Sequence, residues 1–359
     1  MHFAAGLFFA AGTAYGVETT PKILGANSCA SAGCHGGGGQ NQDQFLVWSL
    51  KDFHSQRPAA TLTTARAKQI ADALDIKDAT AAVRCTTCHA PLAEVPENLR
   101  GENFKISEGV SCESCHGPAE NWLRSHTRHD YTRADRTAAG MRDLQNLYVR
   151  ANTCVACHQN VDADILKAGH PELIFELDGQ SVAEPKHWSA EKNGNGAQAW
   201  LVGQAVALRE MSWQARSEKR TDLRADGLFP IIFHANQVDA RLPALPDNLT
   251  IEQWSDKVAM AAAGLDWSDD LTKKYLSLLA NDSAAFRDSS VSPALQARRA
   301  ERLVLALDRL VAALPELKNN GPVQSALNQL FKLAQSVPDF DPKQFADALQ
   351  KFSAAAGPP

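Results

Sequence analysis

All eight cysteines of this 359-residue chain fall in four clusters, and each cluster is closed by a histidine. Cys85-Thr-Thr-Cys88-His89, Cys112-Glu-Ser-Cys115-His116 and Cys154-Val-Ala-Cys157-His158 share one spacing. Cys29-Ala-Ser-Ala-Gly-Cys34-His35 is a looser copy, with four residues between its cysteines. Cys-x-x-Cys followed directly by His is the attachment signature of a c-type haem. The two thiols bond to the porphyrin vinyl groups, and the adjacent imidazole faces the iron. No cysteine is left for a structural disulfide or a reactive thiol. Cys-x-x-Cys pairs also build zinc ribbons, but zinc does not require His directly after the second Cys, four times over. The chain is therefore expected to carry four covalently bound haem c groups, with His35, His89, His116 and His158 as proximal ligands.

That expectation sets the fold class. It is mainly α with much irregular loop: a multihaem cytochrome c domain wrapped around four haems, followed by an all-α helical bundle without haem. Hydrophobic residues are 44% and charged residues 21%, as in a soluble globular protein. The net charge of −5 leaves no footprint for nucleic acid. Six arginines (Arg124, Arg128, Arg133, Arg136, Arg142 and Arg150) crowd one stretch. They suit an acidic partner, haem propionates or a solvated face equally well.

Residues 1–16 read as a cleaved signal peptide, with Ala14-Tyr15-Gly16 fitting the small-x-small rule. The apolar run is too short to span a bilayer comfortably. A periplasmic or secreted location follows, which suits haem attachment outside the cytoplasm. Residues 17–192 are expected to form the tetrahaem domain and residues 193–359 the helical one. Helices are expected at 61–75, with Thr61 or Thr63 as N-cap, and at 141–150. Residues 168–188 read as extended loop. In the tail, the spacing predicts helices over 200–220, 251–263, 271–279, 293–314, 322–335 and 342–352. Ser292 and Asp341 serve as caps, and Pro stands at the first position of the last three. Phe229-Pro230-Ile231-Ile232-Phe233-His234 could be the relic of a lost haem segment.

An iron takes a second axial ligand. His2 lies in the leader and His234 in the tail. His54, His126, His129, His170 and His187 are then candidates for four distal positions.

Here the chain resembles the tetrahaem cytochrome c-554 family, the electron acceptors of hydroxylamine oxidation, and their multihaem relatives. The matching residues are Trp48…His54, then Glu108-Gly109-Val110-Ser111-Cys112-Glu113-Ser114-Cys115-His116-Gly117-Pro118, with His126 following. The likeness covers about residues 27–190. It implies that His54 lies opposite His116, His126 opposite His158 and His170 opposite His35. In that family the second haem is five-coordinate; here His187, in Pro-Lys-His-Trp, could close the His89 haem. His129 is then a spare.

The expected function is electron transfer through a chain of bis-His haems, between redox partner proteins such as a quinol or enzyme donor and a downstream reductase or cytochrome. The alternative is a haem enzyme acting on nitric oxide, nitrite, hydroxylamine or peroxide at a five-coordinate haem on His89. His129, Arg124 or Arg128 would then supply protons or hold an anion. A third reading makes the helical half a docking module for a membrane complex, or stacks subunits into a haem filament.

Overall fold

The chain starts its helices with side chains that accept orphan backbone N–H groups. Ser292, Asn320 and Asp341 do so for Pro293–Ala312, Gly321–Ala334 and Pro342–Ala356, each with Pro in its first turn. Thr250 forms a reciprocal cap with Gln253 at the head of Ile251–Ala263. Near the start of the chain, Thr64 caps Ala65–Ala73 in place of the expected Thr61 or Thr63.

The computed structural model describes residues 20–39, 42–188, 195–336 and 339–357. The expected leader at 1–16 and the boundary expected at 192/193 lie outside them. The described chain is mainly helical, at 60% helix without a strand. Two isolated bridges, Ile23 to Arg100 and Ser55 to Gly109, are its only β-type pairings among the described residues.

Three stretches differ from expectation. Asn146 caps a helix over Leu147–His158, so the fourth Cys-His cluster is the end of that helix and does not follow it. Residues 168–188 are not loop throughout. Glu176 accepts from Asp178 N and Gly179 N and starts a helix over Leu177–Ala183. The stretch around Phe229 belongs to a helix, Leu223–Phe233, with Pro230 inside it. Ile231 and Ile232 from this stretch are buried, so its apolar character serves the core.

One buried apolar cluster runs through the C-terminal half and past it. Trp200, Met211, Trp254, Tyr275, Leu307 and Phe352 belong to it, and so do Leu147, Ala151, Val155, Phe175 and Leu177. The helix bearing the fourth cluster is therefore part of the bundle's core. Gln204 Nε2 donates to Phe175 O at 2.8 Å, and Tyr148 Oη donates to Asp256 at 2.8 Å, which ties the same two regions together. Before residue 145 the second cluster of buried hydrophobics holds only Leu62, Ala71 and Ala79. Ile23, Val47, Trp48 and Trp122 are also buried there but belong to neither cluster. At about 1.5–3 kcal/mol for each fully buried aliphatic side chain, this scattered burial is little to hold some 120 residues by itself.

Gly203 lets the two regions touch. A Cβ there would stand 2.6 Å from Leu177 Cβ. Packed cores resist added volume. Gly203→Val is expected to lower the unfolding free energy of the haem-loaded protein by about 1–3 kcal/mol, read by guanidinium denaturation. An unchanged midpoint would show that this contact does not join the regions.

Candidate functional site

Three of the four clusters are helix ends: Val83–His89, Cys112–His116 and Leu147–His158. Cysteines three apart and a histidine one further on share one helical face, so both sulfurs and the imidazole point the same way. The first cluster does this with a turn. Cys29 closes a 3-10 helix over Ala26–Cys29, and His35 N returns to Cys29 O at 3.2 Å. No cysteine is in a disulfide.

The clusters abut. The thiols of Cys29 and Cys112 face each other, and so do those of Cys88 and Cys157. Cys115 and Cys154 are electrostatic neighbours. Burial pushes the Cys115 thiol up to about 11 and the Cys154 thiol up to about 12. In space the clusters therefore run first, third, fourth, second.

The chain builds this adjacency with buried carboxylates. Glu113 is 2% exposed. It accepts from Leu24 N at 2.9 Å, Gly25 N at 2.7 Å and Ala119 N at 2.7 Å. Glu108 accepts from Ala26 N at 3.1 Å. Together they hold the segment before Cys29 against the third cluster. At the head of the short helix Ser114 Oγ accepts from Ser111 N at 3.1 Å. Gly109 has φ +70°, and a Cβ on it would meet His54 O at 3.1 Å. Val110 N donates to His54 O at 3.0 Å, while Val110 O accepts from Trp48 Nε1 at 3.0 Å. The Glu-Gly-Val-Ser-Cys-Glu stretch is thus a clamp. Glu108 and Glu113 were visible in the sequence only as parts of a likeness. Their nearness to Cys112, with Glu113 adjoining it and Glu108 just upstream, was the available signal.

Three further histidines each meet one cluster histidine. The His35 and His126 rings have centroids 6.0 Å apart and planes at 24°. His54 and His158 are 5.9 Å apart at 76°. His89 and His170 are 6.4 Å apart at 81°. His116 remains, and its foremost charged neighbour is His187. Two imidazoles on one metal need a centroid separation on the order of 6 Å, from two metal–nitrogen bonds of about 2 Å and two ring radii. The three measured pairs meet that requirement.

These pairs correct all four partners implied by the resemblance, and each measured pair has a local cause. His54 faces His158, not His116. Its backbone is tied to the third cluster, but Asp52 Oδ1 takes both His54 N (2.8 Å) and His54 Nδ1 (3.0 Å) and sets the ring towards the fourth. His126 faces His35, not His158, because Glu120 holds Lys22 N at 2.7 Å and docks this segment on the N-terminal strap. His170 faces His89, not His35. Arg66 Nη2 donates to Gly169 O at 2.7 Å, which pins the His170 turn beside the Arg57–Thr61 helix, whose Pro58 O accepts from His89 Nδ1 at 2.9 Å. His170 stands where His187 was expected, beside His89, and the charge of His187 acts instead on His116. His129 is exposed.

The other ring nitrogen supports a metal reading. A metal-bound imidazole usually engages its second nitrogen with an acceptor, which fixes tautomer and orientation. Nδ1 meets Gln44 Oε1 in His35 (2.8 Å), Leu123 O in His126 (2.6 Å) and Pro171 O in His170 (2.8 Å). His158 Nδ1 differs: the Gln180 amide nitrogen, a donor, lies 3.4 Å from it. His116 Nδ1 and His187 Nδ1 are buried without partners. Among the described residues no hydrogen bond engages Nε2 of these eight rings. The donor set fits four haem c groups: two thiols, a proximal imidazole and a facing imidazole per site.

Burial pushes His116 down to about 4, and lowers His89, His158 and His187 below the ordinary imidazole value. His54 is the exception: its hydrogen bond to Asp52 raises it against burial. Asp52, Glu184 and His187 place ligand atoms within 4.8 Å of one another, and burial with the Asp52 charge lifts Glu184 to about 7. The arginines of the 124–150 stretch are largely engaged nearby, Arg128 with Asp130, Arg133 with Asp143 and Arg150 with Leu144 O.

Replacing Glu113 by Ala leaves three N–H groups without their acceptor, at about 1–3 kcal/mol for each one that stays buried. The expected outcome for the Glu113→Ala holoprotein is faster tryptic cleavage after Lys22, with cleavage after Lys167 unchanged. Equal rates at Lys22 in both proteins would remove the clamp.

Among the described residues no helix is long and apolar enough to cross a membrane. No curated protein and no solved structure matches the chain. The family described as cytochrome c554 and c-prime matches residues 28–117, the stretch that carries the first three clusters, His54 and the Glu108–Glu113 clamp. In that stretch the chain is similar to c-type cytochromes, which bind haem c covalently and transfer electrons.

Proposed function

We propose that the chain is a periplasmic tetrahaem c-type cytochrome that relays electrons between redox partner proteins through four bis-His sites. Four haem c groups, when bound, would supply one-electron chemistry without a bond-making step. Cys29 with Cys34, Cys85 with Cys88, Cys112 with Cys115, and Cys154 with Cys157 would hold them. His35, His89, His116 and His158 would ligate from the cluster side. His126, His170, His187 and His54 would ligate from the other, in that order.

The observation that carries this reading is the set of imidazole pairs. Rings drawn from distant parts of the chain meet at the separation one metal ion requires. A ring on each side saturates the metal, so the site exchanges electrons and does not take a substrate. The abutting cysteines favour a single relay, ordered first, third, fourth, second. The enzyme reading needed an open position opposite His89. His170, at 6.4 Å from His89, stands on that side.

Export by the 1–16 segment would give the chain access to haem attachment. Acidic partners or a membrane complex remain its candidate contacts, through the arginine-rich stretch or the helical half.

The test counts haems and spin states. Intact mass of the purified protein is expected to show four covalent haems, and electron paramagnetic resonance only low-spin ferric centres. Near-perpendicular axial rings give a highly anisotropic low-spin signal, expected from the His54/His158 and His89/His170 sites. The near-parallel His35/His126 site is expected to give a rhombic one. A high-spin signal with carbon monoxide binding after reduction would replace the carrier with the enzyme reading. Fewer than four haems would sink both.

A further inference from the structure

We propose that Asp52 tunes the site formed by His158 and His54, and makes it the lowest-potential of the four. The inference rests on the bis-His reading above.

Five of the eight facing rings have an Nδ1 acceptor, and four of those acceptors are neutral. They are the Gln44 amide oxygen and the carbonyls of Pro58, Leu123 and Pro171. His54 alone hydrogen-bonds a carboxylate, at 3.0 Å. The Asp52 side chain is only 3% exposed. Water therefore screens its charge poorly, and a charge-assisted hydrogen bond is roughly twice as strong as a neutral one. The same oxygen accepts from His54 N at 2.8 Å, so ring and backbone are fixed on one atom. A second carboxylate, Glu184, lies 3.9 Å from the same Nδ1, beyond hydrogen-bond length.

Drawing the Nδ1 proton towards a carboxylate raises electron density at Nε2. A more basic ligand stabilises the ferric ion, which carries one more positive charge than the ferrous ion. Reduction at this site is thereby disfavoured relative to sites with neutral acceptors. His116 makes the opposite case, since its Nδ1 is buried without an acceptor. Asp52 is a positioning residue: it touches His54 and acts through it.

The measurement is a spectroelectrochemical titration of the holoprotein, with haem counting by mass and paramagnetic resonance on every sample. Asp52→Asn keeps an acceptor oxygen and loses the charge. It is expected to retain four low-spin haems and raise the lowest midpoint. The expected rise is at least a tenfold change in the reduction equilibrium, about 59 mV for a one-electron couple. The other three couples should move less. Asp52→Ala should move the same couple further and weaken the anisotropic signal, as the ring loses its anchor. Glu184→Gln removes a nearby carboxylate that makes no hydrogen bond to the ring, and should shift that couple less. An unmoved lowest couple in Asp52→Asn, with four low-spin haems intact, overturns the assignment. So does an equal shift in Glu184→Gln. Fewer than four haems in the unsubstituted protein would overturn the bis-His reading itself.

Discussion

A histidine fixed at the end of one helical turn can reach only one side of a metal ion. The ring on the other side has to arrive from elsewhere in the chain. In the proposed bis-His reading that constraint accounts for the architecture before residue 190. His126 returns to His35 across 91 positions of sequence, His170 to His89 across 81, and His54 to His158 across 104. Loops must then be pinned at their ends, because loose loops would lose more entropy than one metal–nitrogen bond restores. The pins are visible: Glu113 on Leu24 and Gly25, Glu120 on Lys22, Arg66 on Gly169, Asp52 on His54. Few of them are hydrophobic contacts, which fits a region whose side chains build so little apolar core of their own.

The helical tail solves a different problem. Its core is conventional, with Leu303, Leu307 and Leu310 forming the buried stripe of Pro293–Ala312. Its reach into Leu147, Ala151 and Val155 gives the helix that ends in His158 a rigid backing. Gln180 sits in the Leu177–Ala183 helix, which packs on the same bundle at Gly203, and its amide meets His158 Nδ1. The tail therefore supports the fourth cluster on two sides. The first and third clusters depend on the Glu108 and Glu113 clamp instead, and Cys85 of the second packs on the small Leu62, Ala71 and Ala79 cluster.

How much of this was legible in the sequence depends on the range of the contact concerned. The tail helices were readable because their signals are local: a cap, a proline one residue on, and a stripe of leucines. Ser292 and Asp341 accept N–H groups as expected. Local signals also misled. Residues 168–188 look extended, yet Glu176 starts a helix there, because a half-buried glutamate packed against the bundle accepts two orphan N–H groups. The candidate second rings were identifiable as a group, by removing the leader and tail histidines. Their partners were not, and all four were permuted. Spacing along the chain says nothing about which way a ring turns when the deciding contact lies across the fold. Glu120 with Lys22 and Arg66 with Gly169 are separated by 98 and 103 positions. His54 is the instructive case, since its backbone is fastened to one cluster and its ring is aimed at the next.

The spatial order of clusters gives that case its consequence. The His54/His158 pair belongs to the fourth cluster, which lies between the third, through Cys154 and Cys115, and the second, through Cys157 and Cys88. A carboxylate-bonded ligand at an interior position does not make the relay a smooth descent. In the proposed relay it would set a step for an electron to climb between the His116 and His89 sites. Closely spaced centres tolerate such a step, because a brief uphill hop costs rate without changing the free energy between the ends. What the step alters is occupancy. Electrons collect on either side of it, and the two halves of the relay charge separately. A chain that served only as a wire would have no use for Asp52 at this position. One that must hold electrons at one end until a partner docks at the other would.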